Sequence, residues 1–281
     1  MKLEKELSVA IAAARQAGEI ALSYAGRTVK SELKNGLRDS PVTEADRALD
    51  HYLHKTFTEA FPEDAWLSEE IKDDGSRFTK PRCWVVDPID GTVGYVKWLE
   101  SSMQQNTTQQ NRRQFSISIA LVENGKPILG VIYAPLRNQM ASAVKGQGLL
   151  FNGQRVQPQH TVSDLAEVTY LSSVSEERDG LLDFLQGKTT LQAYGSVAYK
   201  LALTALSADT VTASVKPKNA WDLAAGQLLC EEVGLTVTDL AGNPLRYNTE
   251  SVIYEGLIVA PPNIYPILKE LLPNAPTGGY R

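Results

Sequence analysis

Cysteine is scarce in this chain: two among 281 residues, Cys83 and Cys230, with no C-x-x-C spacing. That excludes a disulfide framework and a cysteine-based zinc site, and makes a reducing cytoplasm the expected compartment. Histidine is as sparse, with three. His51 and His54 stand in HYLH on a helical pattern whose apolar face is Ala45, Leu49, Leu53 and Phe57, so a solvated face is expected rather than a metal pair. No apolar run approaches the roughly 20 residues of a membrane span. The opening MKLEKELSVAIAAARQAGE mixes acidic residues into a helical pattern and does not read as a signal peptide. Positive charge is not in excess either. The net charge of −5 argues against a surface that holds a nucleic-acid polymer.

What is present is the composition of a soluble globular protein, 43% hydrophobic and 22% charged, at a length that suits one large domain or two ordinary ones. Leu3, Leu7, Ile11, Ala14, Gly18, Ala21 and Ala25 follow a helical period and predict a first helix stopping at Gly26. A second begins after Thr43, where Thr43 and Asp46 have capping-box spacing. Cys83–Val86 reads as a strand. FSISIALVENGKPILGVIYAP then gives two β-rich runs joined by Asn124-Gly125, a strong hairpin signal, and VKGQG and LLFNGQRV continue as short strands. Residues 1–155 thus read as an N-terminal α+β domain with an antiparallel sheet.

From about residue 160 the rhythm changes. EVTYLSSV, TLQAYG, DTVTASV, LTVTDL and GLIVA read as strands, several alternating with helical patterns at Arg178–Gln186, Val197–Leu206, Trp221–Val233 and Asn263–Leu272. Residues 156–281 are therefore expected to form a C-terminal α/β domain. One segment departs from its surroundings: WLESSMQQNTTQQNRRQ, Trp98–Gln114, is rich in Gln, Asn, Ser and Thr. It reads as a mobile loop, either a lid or an ordinary solvated connection.

The stretch WVVDPIDGT, Trp84–Thr92, poses the chemical question. Asp-Pro and Asp-Gly are common turn dipeptides. Yet Asp87 and Asp90, with a backbone carbonyl between them, also suit one hard cation such as magnesium, which prefers oxygen ligands. A helix opened by Thr92 would present the Gly91 and Thr92 amides to a phosphate. Taken alone, the motif allows both readings. Glu69 in WLSEE, Asp46 in PVTEAD and Asp222 in NAWDLAAG add carboxylates, each with an adequate local role in a loop, a capping box or a helix first turn. Spacing alone does not bring these four segments together.

In order and wording, SPVTEAD, WLSEE, WVVDPIDGT and NAWDLAAGQLLCEEVG resemble the inositol monophosphatase superfamily of magnesium-dependent, lithium-sensitive phosphatases. The likeness runs over nearly the whole chain, and DPIDGT combined with WDLAAG is highly specific. It implies a layered αβαβα sandwich, mixing α+β and α/β character, with the site between the two halves. Glu69, Asp87, Asp90 and Asp222, with the Ile89 carbonyl, are then the implied ligands of two or three Mg²⁺ ions, and Li⁺ an implied inhibitor. Gly91 and Thr92 would hold the phosphate, while Asp46 and Thr92, with Glu69, would act on the attacking water. Bound cations would reconcile an acidic site with a phosphate substrate.

The substrate implied is a small phosphorylated metabolite, for a monomer or homodimer with no nucleic-acid or membrane partner. No glutamate lies between Thr210 and Ala220, where inositol monophosphatases often carry one. PKNAWD and GSVAYKLAL are more similar to bacterial 3′(2′),5′-bisphosphate nucleotidases, which makes Gly195 and Ser196, beside Asp222, candidate substrate contacts. Lys200 reads as a solvated helical lysine, and Lys216 and Lys218 as either a second-phosphate contact or a surface loop. The nucleotidase is the first expectation, inositol-1-monophosphatase the alternative. A sugar bisphosphatase and a non-catalytic regulatory binding protein follow. Val93-Gly94-Tyr95 departs from the residues that usually follow DPIDGT in these families, and the segment before Phe115 is about a dozen residues longer than theirs.

Overall fold

The periodicities of the sequence can be followed into a computed structural model, which describes residues 3–27, 31–33, 41–104, 110–159 and 161–272. Helix α1 (Glu4–Leu22) buries Ala10, Ala13, Ala14, Ala17, Gly18 and Ala21, a face of small side chains that lets it lie close to the sheet beneath. A Cβ on Gly18 would stand 2.6 Å from the Tyr133 ring. Strands β1 (Ser31–Leu33) and β2 (Pro41–Thr43) pair antiparallel and lead into α2 (Glu44–Ala60), whose N-terminus carries the expected capping box of Thr43 and Asp46. His51 is exposed, while His54 is half-buried with its ring edge against Trp66.

A seven-stranded sheet follows in chain order: β3 (Ala65–Ser68), β4 (Arg82–Asp90), β5 (Ser116–Glu123), β6 (Lys126–Ala134), β7 (Gln139–Val144), β8 (Leu149–Phe151) and β9 (Gln154–Val156). Only β3 and β4 run parallel; the other pairs are antiparallel. The hairpin at Asn124-Gly125 is as expected, with φ of +50° and +77°, the left-handed pair that matches strand twist.

Period-two alternation divides the sheet's two faces. Trp84 and Val86 of β4, with Ile117, Ile119 and Leu121 of β5, pack with α1 and α2. Cys83, Val85, Ala120 and Val122 point to the opposite core. That second face is built of small residues, and a Cβ on Gly130 would fall 2.7 Å from the Ala225 carbonyl oxygen. The close approach admits two helices, α5 (Val197–Leu206) and α6 (Ala220–Glu231).

On their far side lies a five-stranded sheet drawn from β10 (Thr169–Ser173), β11 (Thr190–Tyr194), β12 (Thr210–Ser214), β14 (Thr236–Thr238) and β16 (Leu257–Ala260), in the order β11-β10-β12-β16-β14. The first three are mutually parallel, and β16 runs antiparallel to both β12 and β14. Strands β13 (Lys218–Asn219) and β15 (Ile253–Tyr254) form a separate pair. Leu268 and Ile264, at α7 (Tyr265–Leu271), cover the outer face with Val211, Ala213, Ile258 and Ala260. The layers are therefore helix, sheet, helix, sheet, helix, as the sequence resemblance implied. Among the described residues no helix is long and apolar enough to cross a membrane.

Two expectations are corrected. Trp98–Gln114 is not a continuous loop: α3 (Thr92–Gln104) takes in its first residues, and a 3₁₀ turn occupies Gln110–Arg113. Residues 105–109 lie outside the described set. The polar count was misleading because Tyr95 and Leu99, one turn apart, are buried, while Ser101 and Ser102 bond back to the Trp98 and Leu99 carbonyls. Arg178–Gln186 is not a helix either. Helix α4 (Val174–Arg178) takes in only its first residue, and Gly180 at φ +69° breaks the pattern before a 3₁₀ turn at Asp183–Leu185.

Candidate active site

Strand β4 does not stop at Val86. It continues to Asp90, with a register irregularity against β5 between Asp87 and Asp90. A bulge bends a strand and re-aims its side chains. Here Asp87 and Asp90 meet Asp222 from α6, with one carboxylate oxygen of each within 4.8 Å of the others. Gly91 at φ +92° then turns the chain into α3, where the Tyr95 amide donates to the Gly91 carbonyl at 3.0 Å.

These residues border a cavity of about 360 Å³, lined also by Glu69, Thr92, Gly195 and Asn219. The N-termini of α3, α5 and α6 all reach it, and so do the carboxyl ends of the parallel strands β10 and β11, through Ser173 and Tyr194, and the segment that follows β12, through Lys216. First-turn amides lack acceptors inside their own helix: at α5 the Val197 and Ala198 amides donate to Asp90 and the Tyr199 amide to Ser196, while at α3 Gly91 and Thr92 line the cavity where a phosphate could bind. The larger cavities beside Arg246, of about 620 and 520 Å³, bring no such group of carboxylates together.

Local and functional roles prove compatible at two positions. Asp46 Oδ2 accepts from the Thr43 amide at 2.8 Å, which completes the cap, while its Oδ1 accepts from Thr92 Oγ1 at 3.2 Å. Asp222 Oδ2 accepts from the Asn219 amide at 2.9 Å in a second capping box, yet the same side chain belongs to the carboxylate group. Each helix cap thus fixes a carboxylate at the site. Thr92 Oγ1 also lies 3.1 Å from the Ile89 carbonyl oxygen, so it sits between Asp46 and that carbonyl.

Burial pushes the Asp87 carboxyl well above the usual range, and the charges of Glu69, Asp90 and Asp222 push it further. Asp222 rises to about 8, through burial and then the Asp90 charge. Asp90 is also raised by burial, although Ser196 and the Ala198 and Val197 amides oppose the shift. Asp46 is pushed up to about 7 by burial, against the lowering effect of its Thr43 bonds. Buried carboxylates that repel one another, with no thiolate or imidazole among them, fit a hard divalent cation bound through oxygen.

Glu69 lines the cavity without joining the tight group of three. Ser196 is fully buried: its hydroxyl donates to Asp90 Oδ2 and accepts from the Tyr199 amide, capping α5. Gly195 and Val197, on either side of it, are the residues that reach the cavity.

Lys200 corrects its sequence reading. It is 1% exposed, its Nζ donates to Ser173 Oγ at 2.8 Å, and burial pulls it down to about 8, against the opposing pull of Glu176. Lys218 is buried as well, 3.9 Å from the fully buried Glu176. Glu176 stays below its ordinary value: burial raises it, but Lys218, Lys200 and the hydrogen bonds from the Lys216 amide and Ser173 together outweigh that. Lys97, Arg112, Arg178 and Tyr194 line the cavity too, and no motif had marked them. The one available signal was the basic pair Arg112-Arg113 at the end of a polar segment.

Comparison with known proteins agrees with this geometry. The model of the inositol monophosphatase family matches residues 2–273. A fructose-1,6-bisphosphatase/inositol-1-monophosphatase of Thermotoga maritima is 31% identical over 256 residues, covering 90% of this chain and 92% of that protein. The 3′(2′),5′-bisphosphate nucleotidase CysQ of Escherichia coli is 32% identical over 252 residues, covering 88% and 96%. Among solved structures, a Thermotoga maritima IMPase superposes with a TM-score of 0.78 at 28% identity, over 95% of this chain and 96% of the other. The chain belongs to the inositol monophosphatase family.

Proposed function

We propose that this protein is a cytoplasmic, Mg²⁺-dependent phosphomonoesterase that hydrolyses the 3′-phosphate of a nucleoside 3′,5′-bisphosphate, in the first instance 3′-phosphoadenosine 5′-phosphate. The observation that carries the reading is the distribution of charge within one cavity. Asp87, Asp90 and Asp222 supply oxygen ligands, while Lys97, Arg112, Arg178 and Lys216 face the same space. A substrate with one phosphate for the cations held by the carboxylates and another for the basic side chains fits such a site. Tyr194 adds an aromatic ring to the lining, a surface on which a base can stack.

Asp87, Asp90, Asp222 and the Ile89 carbonyl, with Glu69 beside them, would hold the metal. When bound, the divalent cations supply Lewis acidity that activates water and offsets charge on the phosphoryl and leaving oxygens. The chain's own groups do the rest. Gly91 and Thr92 amides, at the start of α3, bind and orient phosphoryl oxygens. Thr92 Oγ1, hydrogen-bonded to Asp46 Oδ1, can take a proton from the attacking water as it gives its own to Asp46, whose carboxyl, raised to about 7, is matched to accept it near neutral pH. No cysteine competes as nucleophile, since Cys83 and Cys230 are both buried with thiols raised by burial. Inositol 1-phosphate is the alternative substrate, and the Thermotoga relative bears that activity in its name.

The test is phosphate release by metal-stripped protein after Mg²⁺ is added, with 3′-phosphoadenosine 5′-phosphate and inositol 1-phosphate compared through kcat/KM. Preference for the nucleotide is expected. Preference for inositol 1-phosphate would overturn the substrate assignment, and Mg²⁺-independent or absent hydrolysis would overturn the enzyme assignment.

A further inference from the structure

We propose that the 3₁₀ turn Gln110–Arg113 is the specificity element of the cavity, and that Arg112 on it selects substrates carrying a second anionic group. The inference deepens the phosphatase reading and rests on it. Its starting point is the unusual Val93-Gly94-Tyr95 that follows the DPIDGT motif.

Three glycines receive this turn. A Cβ on Gly94 would lie 2.6 Å from the Gln114 carbonyl oxygen, and one on Gly195 would lie 2.9 Å from that same atom and 3.0 Å from the Arg112 carbonyl oxygen. A Cβ on Gly91 would stand 3.1 Å from the Gln114 oxygen. No alanine is accommodated at Gly94 or Gly195 without moving backbone, because real Cβ contacts under 3.0 Å essentially do not occur. The Gly195 amide also donates to the Asn111 carbonyl at 3.3 Å, and Arg137 reaches Asn111 Oδ1 at the same distance. Gly94 therefore has a structural reason. It is the gap through which the segment returns to β5, one helical turn from the residues that bind phosphate.

The seat fixes where Arg112 stands. Arg112 borders the cavity, and its guanidinium pairs with Glu177, on α4. Beside it, Asp179 is shared by Arg178 at 2.8 Å and Lys216 at 2.5 Å. Lys97 lines the wall too, and Lys218 does so beside Glu176, so among the described residues five cations stand with three carboxylates on this side of the cavity. Both members of the Arg112–Glu177 pair are more than a third exposed, and such a pair holds only weakly. A guanidinium offers a planar fork of donors that suits an incoming phosphate or carboxylate. A second anion entering the cavity can take Glu177's place on Arg112.

The test uses two substrates that differ only in that anion, adenosine 3′,5′-bisphosphate and adenosine 3′-phosphate. The ratio of their kcat/KM values is the readout, with KM and kcat separated. Arg112→Ala is expected to lower the ratio by about 10- to 100-fold, through KM for the bisphosphate. Arg112→Lys should restore part of the loss, and Glu177→Gln, which frees the guanidinium, should raise the ratio above wild type. Gly94→Ala should lower it as well, by displacing the turn without touching the side chain.

An Arg112→Ala ratio equal to wild type, or equal losses on both substrates, would overturn the proposal and leave the phosphatase reading intact. A folded Gly94→Ala with an unmoved ratio would overturn the role of the glycine seat. Absence of Mg²⁺-dependent hydrolysis of both substrates by the wild-type protein would overturn the parent reading and this one with it.

Discussion

The two charged regions of one cavity are built by opposite means. The carboxylate region stands on regular structure: Asp87 and Asp90 end a nine-residue strand, and Asp222 opens a twelve-residue helix whose cap it completes. The cationic region stands on short pieces, a 3₁₀ turn at Gln110–Arg113, the five-residue α4 and the segment before β13. The first region stores repulsion among like charges and calls for an outside cation. The second is already neutralised in part from within, by Glu176, Glu177 and Asp179. Rigid elements would then fix the chemistry, and the short connecting pieces would choose the substrate.

The largest effect expected from this contrast is at Asp87. Asp87→Asn should lower kcat by about 10²- to 10³-fold, on the scale of removing a principal electrostatic group. The same change removes one of the repelling charges, so metal-free Asp87→Asn protein should unfold at a higher temperature than metal-free wild type. Lower stability in the variant would show that Asp87 is a structural residue of the strand.

At the other region the sign reverses. Glu176 is fully buried and accepts from the Val215 and Lys216 amides at 2.9 and 3.0 Å, beside the Lys218 ammonium. Glu176→Gln leaves that ammonium without its counter-charge and should destabilise the fold by about 3–5 kcal/mol, read by denaturant unfolding. A loss within the ~0.5 kcal/mol typical of surface substitutions would contradict the pairing.

The two regions should also respond oppositely to pH. Asp46 is raised from 3.8 to about 7, so its contribution to metal-free stability is present in acid and is lost as pH rises through about 7, by at most ~4 kcal/mol. Glu176 lies below its ordinary value of 4.5, so its contribution is present at neutral pH and is lost as pH falls beneath that value. Melting curves across pH in chelator check both, since Asp46→Asn should flatten the neutral slope and Glu176→Gln the acid one. Smallest is Gly226→Ala, whose Cβ would meet Leu201 at 2.4 Å between α5 and α6. It should cost about 1–3 kcal/mol by overpacking and leave the substrate preference unchanged.

The same contrast explains what could be read in advance. The layered fold, the Thr43 cap, the Asn124-Gly125 turn and α5 were legible because each rests on local chemistry: periodicity, capping spacing or left-handed turn residues. The carboxylate group was legible only through family resemblance, since its members come from segments more than 130 positions apart. Of the cationic wall only Lys216 and Lys218 were marked in advance, as one of two open readings. Lys200 looked solvated because helical spacing does not reveal a partner such as Ser173 on another element. Arg112 sat in a polar segment that composition assigned to a loop, and Gly94 looked like a departure until the Gln114 carbonyl beside it gave the reason.

The measurement closest to the central claim is a calorimetric Mg²⁺ titration of metal-stripped protein, paired with melting curves, for wild type and Asp87→Asn. Saturable binding that raises the wild-type melting temperature, and is lost or much weakened in the variant, is the predicted result. Equal Mg²⁺ binding by both proteins, or none by either, would contradict the assignment of Asp87, Asp90 and Asp222 as a metal centre.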